Sequence, residues 1–154
     1  MLKIHQCEDV LDRVLALVVV LNTDMTQGLG ALGLTSSRAH LLWELGQRGP
    51  VPQRVLAAAL KITPRAVTGL VDALVASGLV TREPHPSDRR AALVTFTAAG
   101  QTLIAQLERD HEALASALFA PMSRAELDCF EQWLTDVTAR LRAHQAVTAA
   151  APPD

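Results

Sequence analysis

The chain has 154 residues, which suits a single domain with its own core or a small subunit of a dimer. Hydrophobic residues make up 49% and charged residues 19%, which excludes disordered, collagen-like and coiled-coil-only proteins. With no Tyr, three Phe and two Trp, the core is predicted to be aliphatic, and this favours helices over a β-sandwich.

The apolar segments and the cysteines indicate the cellular location of the protein. The longest uninterrupted apolar run, Val14 to Leu21, is eight residues long, whereas a bilayer-spanning helix needs about 20. It follows acidic residues instead of a basic leader, which argues against a secretory signal. Two cysteines, Cys7 and Cys129, form neither a disulfide framework nor a zinc ribbon. We expect a soluble, cytoplasmic protein that does not associate with a membrane.

The net charge of -2 conceals an uneven distribution. Residues 36–95 contain eight Lys and Arg against four Asp and Glu, and the rest of the chain contains six against twelve. A basic middle with acidic ends indicates a centre that faces a polyanion, although clustering on solvated faces would give the same count.

Glycine, proline and capping residues divide the first half into four predicted helices. The first covers residues 8–27 and ends at Gly28 and Gly30, and the second covers residues 36–45 between Thr35 and Gly46. Pro52 opens a short third helix that reaches Leu60. After a three-residue turn, the fourth runs to residue 77, with Thr63 as its N-cap and Pro64 in its first turn.

The second half begins with a predicted two-stranded hairpin and continues with two helices. Residues 79–82 and 92–96 are short β-prone runs, and a polar loop separates them. Thr97 caps a fifth helix that stops before Pro121, and Ser123 with Glu126 forms the capping box of a sixth.

Two short helices joined by a three-residue turn and followed by a hairpin are typical of a winged helix-turn-helix. The predicted fold class is therefore mainly α with a small two-stranded β wing. The fourth helix would enter the major groove, and the start of the second would face a phosphate. The DNA-binding residues predicted on these two helices are Ser36, Ser37, Arg38, Thr63, Arg65, Thr68 and Gly69.

The tip of the hairpin carries Asp88, Arg89 and Arg90. One arginine can pair with Asp88 and fix the loop, while the other enters the narrow, strongly negative minor groove. An isolated motif of this kind is usually a solvated loop. Its position directly after a helix-turn-helix favours DNA contact.

Four segments together resemble the MarR family of bacterial transcription regulators, and the resemblance covers roughly residues 34–100. They are Thr63–Leu74 (TPRAVTGLVDAL), Gly78–Arg82 (GLVTR), Asp88–Arg90 (DRR) and Phe96–Gly100 (FTAAG).

The resemblance implies an obligate homodimer whose first, fifth and sixth helices intertwine, and whose two wings read a pseudo-palindrome in double-stranded DNA. It also implies a small-molecule or redox input, and it assigns to Asp72 the bracing of the wing through a wing arginine. The implied organisation has dimerisation helices at residues 1–33 and 98–145 and a DNA-binding domain at residues 34–97. The composition of residues 146–154, rich in Ala and Pro, predicts a disordered tail.

Two positions depart from the family pattern. Gly69 stands where the family usually has Arg or another long polar residue, and Val51 stands where it usually has a polar helix cap. The affinity for DNA and the preferred sequence are the properties that these departures put in question.

Other functional sites are less well supported. His40 and Trp43 are candidate walls of a ligand pocket, although Trp43 also suits core packing. A metal site from His5, Cys7, His40 and Glu44 lacks a demanding spacing, so no metal and no cofactor is predicted. Glu108 and His111 are one half of a di-iron pattern without the other half. No catalytic motif is present, so the chain is predicted not to be an enzyme.

The sequence therefore predicts a ligand-responsive, dimeric DNA-binding regulator, and specifically a repressor. Two alternatives remain. One is a winged-helix module for protein interaction, which Gly69 and the net acidity favour and the DRR motif opposes. The other is a hydroperoxide sensor that uses Cys7 and Cys129, although the chain has no tyrosine to hydrogen-bond a thiolate.

Overall fold

The computed structural model describes residues 2–87 and 92–150. The chain divides into two compact units, Met1–Gln106 and Leu107–Asp154.

The first helix, α1 (Leu2–Ala31), is longer than predicted at both ends. Gly28 and Gly30 lie inside it, because a glycine weakens a helix by about 1 kcal/mol without forcing it to stop. The helix ends instead at Gly33, whose φ of 69° reverses the chain. There the amide of Leu34 donates to the carbonyl of Leu29, which closes the C-terminal turn.

The second helix, α2 (Ser36–Arg48), begins as predicted and ends three residues late. The Thr35 side chain accepts a hydrogen bond from the amide of Arg38 at 3.3 Å, as an N-cap does. The predicted stop at Gly46 is wrong. Gly46 instead packs under Ile104, where a Cβ atom would lie 3.4 Å from that side chain, and Gly49, with φ of 72°, caps the helix.

The helix-turn-helix consists of α3 (Gln53–Leu60) and α4 (Pro64–Ala76). Lys61 ends α3 in the left-handed conformation, with φ of 54°. The Thr63 hydroxyl accepts a hydrogen bond from the amide of Ala66 at 3.2 Å, which confirms the predicted N-cap of α4.

The wing contains a third strand that the sequence did not predict. The strands β2 (Val80–Pro84) and β3 (Ala92–Phe96) pair antiparallel, and β1 (Val51–Pro52) pairs with the other edge of β3. The order is β1-β3-β2. A two-residue strand shows no alternation, and a proline at its end conceals it in the sequence.

The core of the first unit is aliphatic, as predicted. Its fully buried side chains come from α2, α3, α4 and the sheet, and they are Leu41, Leu42, Leu45, Leu56, Val67, Val71, Leu74, Val80 and Val94. This core fixes α4 against the sheet, because three of its members lie on the inner face of that helix.

The fifth helix, α5 (Ala98–Phe119), starts in close contact with the segment after α4. The Thr97 hydroxyl donates to the carbonyl of Gly78 at 2.6 Å and accepts from the amide of Gly100 at 3.1 Å. Gly100 is buried at this junction, where a Cβ atom would lie 1.9 Å from the carbonyl oxygen of Leu79.

The second unit contains the end of α5 and the sixth helix, α6 (Arg124–Ala150). The predicted capping box is present, since the Ser123 amide donates to the Glu126 carboxylate at 2.8 Å. The Ser123 hydroxyl donates a hydrogen bond to the Glu126 carboxylate, and this bond is the main cause of a lowered pKa of Glu126. The hydrogen bond from the Ser123 amide lowers that pKa further. The predicted tail boundary is displaced, because helix-forming residues such as Ala continue α6 through residue 150. Residues 151–154 of that tail lie outside the described residues.

Helix α1 carries an apolar surface that its own unit leaves open. Residues Ile4–Ala31 are long and apolar enough to cross a membrane by length and composition alone. The sequence analysis argued against a membrane-spanning helix from the length of uninterrupted apolar runs. That criterion did not detect this segment, because isolated charged residues interrupt its apolar runs. One such helix is weak evidence for a membrane, because the core helix of a soluble protein and a signal sequence near an N-terminus pass the same test. The exposed large apolar residues of α1 are Ile4, Val10, Leu11, Val14, Leu15, Leu17, Val18, Val19, Val20, Leu21 and Met25.

We predict that Gly100→Ala lowers the free energy of unfolding by about 2 kcal/mol or more, because the new methyl group would overlap the Leu79 carbonyl. Gly69→Ala is the matched control. It lies in a helix with open space around it, so it should raise stability by about 0.5–1 kcal/mol. Urea denaturation at equal protein concentration measures both, and equal stability of the two variants would contradict the packing described at Gly100.

Candidate nucleic-acid interface

Helix α4 has one buried face and one exposed polar face. Val67, Val71 and Leu74 are buried, whereas the predicted reading positions are all exposed. Those positions are Arg65, Thr68, Gly69 and Asp72. They share a face because they are spaced by three and four residues. A helix with this arrangement can enter a major groove without disturbing its core.

The exposed face of α4 has a gap at Gly69. No atom beyond its immediate neighbours lies within 4 Å of the position that a Cβ would occupy. The space for a longer side chain is therefore present, but the sequence does not fill it. Within this face, Arg65 is the cation, and it lies in the first turn of the helix.

The hydroxyl of Thr68 is engaged inside the protein. It donates to the Pro64 carbonyl at 2.8 Å and accepts a hydrogen bond from Nε2 of Gln53 at 3.3 Å. A hydroxyl has a single proton to donate. The Thr68 group that remains for an apolar contact with a base is therefore its methyl.

Asp72 forms an ion pair with a strand of the wing. Its Oδ1 accepts from Nη2 of Arg82 at 2.6 Å, and Nε of Arg82 donates to Oε1 of Gln53 at 3.3 Å. The side chain of Asp72 is 59% exposed and that of Arg82 is 33% exposed. At such exposure the pair contributes about 0.2–1 kcal/mol to the free energy of unfolding. Its main role is therefore to orient the two side chains.

The sequence did not indicate Gln53, and it implied a wing arginine as the partner of Asp72 without identifying Arg82. The single available signal was the position of Gln53 at the start of a short helix, which says nothing about a partner 29 residues away. The contact depends on β1, which pairs with β3 and so places the start of α3 near the wing.

The N-terminus of α2 carries the predicted phosphate-facing residues. Ser36 and Ser37 are exposed, and Arg38 is half-buried with its amide bonded to the Thr35 cap. The first amides of a helix and its dipole favour an anion at this end. The geometry suits a phosphate, as it does at many helix starts.

The predicted wing-tip residues lie outside the described residues. Asp88, Arg89 and Arg90 fall between the two described ranges. The wing is therefore described up to Ser87 on one side and from Ala92 on the other.

A cavity of about 300 Å³ lies in the first unit beside α4. It brings together two predicted residues, Ser37 and His40, but the predicted partner Trp43 is half-buried and does not line it. The lining residues are Ser37, His40, Leu60, Ile62, Ala66 and Leu70.

The residues considered for a metal site do not cluster. Across residues 2–87 and 92–150, no group of three or more His, Cys, Asp or Glu side chains is placed to hold a metal ion. His5 contacts Glu8 at 3.2 Å, and His40 lies 4.0 Å from Glu44. Cys7 and Cys129 are both free and exposed.

Comparison with known proteins agrees with this arrangement. Residues 34–92 match the family model of the MarR family. The chain is 33% identical over 86 residues to the HTH-type transcriptional repressor YetL of Bacillus subtilis, covering 56% of this chain and 52% of YetL. The chain thus spans about half the length of such curated relatives.

Solved structures show the same fold. Disulfide-formed AbfR aligns with a TM-score of 0.76 at 22% identity, over 94% of both chains. The Staphylococcus aureus MepR–DNA complex aligns with a TM-score of 0.63 at 23% identity, over 82% of this chain and 96% of MepR. The fold is therefore a mostly helical winged helix-turn-helix. The wing has three strands where two were predicted.

We predict a small coupling between Asp72 and Arg82 in a double-mutant cycle with Asp72→Ala and Arg82→Ala. Urea denaturation should give a coupling free energy of about 0.5 kcal/mol at low salt, because the pair is partly exposed. In molar salt the coupling should shrink through screening. A coupling of zero at low salt would contradict the ion pair.

Proposed function

We propose that the chain, whose residues 34–92 match the MarR family model, is a MarR-family transcription regulator that binds a pseudo-palindromic operator in double-stranded DNA as a homodimer. We propose that it acts as a repressor and that a small molecule relieves the repression. The observation that carries DNA binding is the exposed polar face of α4, which the aliphatic core holds from behind.

The proposed contacts divide into reading and positioning. Arg65 and Thr68 face the base edges, with Arg65 suited to guanine and the Thr68 methyl to thymine. The start of α2, with Ser36, Ser37 and Arg38, holds a phosphate. Of Arg89 and Arg90, one pairs with Asp88 and the other enters the adjacent minor groove, in keeping with the basic charge of residues 36–95.

The apolar surface of α1 supports the homodimer. Among its described side chains, eleven large apolar ones are exposed, whereas soluble monomers rarely show contiguous apolar patches above roughly a few hundred Å². On α6, Trp133 is 55% and Leu134 is 51% exposed. A second copy of the chain would cover these helices, and its symmetry would place two α4 helices about 34 Å apart, which is one turn of DNA.

The proposed location is the cytoplasm, because a DNA-binding regulator works where the DNA is. Helix α1 is then apolar because it meets a second chain. The cavity beside α4 is the proposed entry for a small effector, since His40 and Ser37 offer polar groups among aliphatic walls. Such a molecule would shift the balance between DNA-competent and incompetent arrangements only by binding one of them better.

A protein-interaction module is the second candidate, and the open position at Gly69 favours it. A recognition helix with a gap has fewer groups to offer to bases. Binding of duplex DNA that weakens steeply with salt would exclude this candidate.

We predict that Arg89→Ala or Arg90→Ala weakens operator binding and reduces the slope of log affinity against log salt by about one for each phosphate that the variant no longer neutralises. Fluorescence anisotropy titrations at several salt concentrations measure both quantities. Arg48→Ala is the control, because Arg48 pairs with Glu44 and lies about 18 Å along α2 from Ser36. Unchanged affinity and slope in both wing variants would remove the wing from the mechanism.

We predict that Val18→Lys converts the protein to a monomer and abolishes cooperative operator binding. Val18 is 55% exposed, so the protomer should fold, but a lysine cannot be buried in an apolar contact between chains. Thr23→Lys on the more polar side of α1 is the control. Sedimentation velocity measures the mass, and a dimeric Val18→Lys variant would contradict the role assigned to α1.

A further inference from the structure

Four polar side chains form a continuous hydrogen-bonded chain across three elements. Thr68 on α4 accepts from Gln53 at the start of α3, and Gln53 accepts from Arg82 on β2. Arg82 then returns to α4 through Asp72. The recognition helix is thus connected to the wing at two points, one direct and one through Gln53.

The order of the strands explains how Gln53 reaches Arg82. Val51 on β1 and Arg82 on β2 both lie opposite Val94 on the central strand. Adjacent strands are about 4.8 Å apart, so two long side chains can span the width of β3. Gln53 follows β1 directly, and its side-chain carbonyl oxygen accepts from Nε of Arg82 at 3.3 Å.

The chemistry of Arg82 fixes the orientation of the Gln53 amide. A guanidinium only donates, so the Gln53 group that faces Nε of Arg82 is the carbonyl oxygen. The amide nitrogen then faces Thr68 and donates to its hydroxyl. A flipped amide would set two donors against each other at Arg82. Both ends of Gln53 are therefore satisfied in one orientation.

Two contacts at different edges hold the guanidinium in its plane. Asp72 binds it at Nη2 and Gln53 binds it at Nε. A single ion pair leaves a guanidinium able to rotate about that contact, whereas two contacts fix its plane. Gln53 thus supplies the second contact that is needed to fix the plane of the guanidinium.

We propose that Gln53 is a positioning residue for DNA recognition. It holds Arg82 of the wing against the recognition helix, so that the α4 face and the wing meet DNA in a fixed relative placement. This role rests on the proposed DNA-binding function. Gln53 acts through Arg82 and Thr68 and does not itself contact DNA.

The test compares Gln53→Ala with the control Gln101→Ala, which removes an exposed glutamine side chain from α5. The probe is a duplex that the full-length wild-type protein selects from a randomised library, with a scrambled duplex of equal length beside it. Gln53→Ala should bind the selected duplex about five- to tenfold more weakly. Its affinity for the scrambled duplex and its salt slope should stay unchanged, because every cation that meets a phosphate is still present.

Two further variants test the route of the effect. Gln53→Glu keeps an acceptor for Arg82 and should recover most of the affinity. In an Arg82→Ala background, Gln53→Ala should have no further effect, because its partner is already gone. An affinity equal to that of Gln101→Ala, an undiminished effect without Arg82, or a salt slope reduced by about one would each overturn the proposal.

An NMR measurement without DNA separates this proposal from the proposed function. Exchange of the Arg82 Nε proton with water should be faster in Gln53→Ala than in the wild type, because the variant has no acceptor for it. Unchanged exchange would show that Gln53 does not hold Arg82, and would overturn the proposal. Failure of the wild type to select any duplex would instead contradict DNA binding itself.

Discussion

The packing of α4 against an aliphatic core is the constraint on which the rest of the structure depends. Val67, Val71 and Leu74 are almost completely buried, and each fully buried side chain of this kind contributes about 1.5–3 kcal/mol. The opposite face can therefore remain polar and open. Because interiors are close-packed, the core also fixes where α4 stands relative to the sheet. The polar contacts at the surface refine a placement that burial has already set.

The wing and the recognition helix are joined by interactions of unequal strength. The junction of Thr97 and Gly100 with the segment after α4 is tight and partly buried. The contacts among Gln53, Asp72 and Arg82 are exposed and individually weak. Tight contacts keep the wing attached, and weak ones set the direction of its side chains. The attachment of the wing and the orientation of Arg82 relative to α4 therefore depend on different sets of contacts.

The elements of the fold could largely be predicted from the sequence, whereas the polar contacts between them could not. Thr63 and Ser123 indicated their helices because a cap bonds to residues two or three positions away. The prediction of a stop at Gly46 was wrong because the reason for that glycine is the distant Ile104. The strand β1 and the role of Gln53 were missed for the same reason, since pairing with β3 lies outside any local pattern. Of the interface, the exposed positions on α4 were predicted, but the engagement of the Thr68 hydroxyl was not.

The proposed function requires two α4 helices, one from each chain of the homodimer, at a fixed separation. The most direct measurement is the affinity of the wild-type protein for its selected duplex and for the same duplex with half a helical turn, about five base pairs, inserted between the half-sites. We expect two chains bound to the original duplex, and a large loss of affinity on insertion, because the second α4 would face the wrong side of the helix. Equal affinity for both duplexes, or one chain per duplex, would contradict the claim.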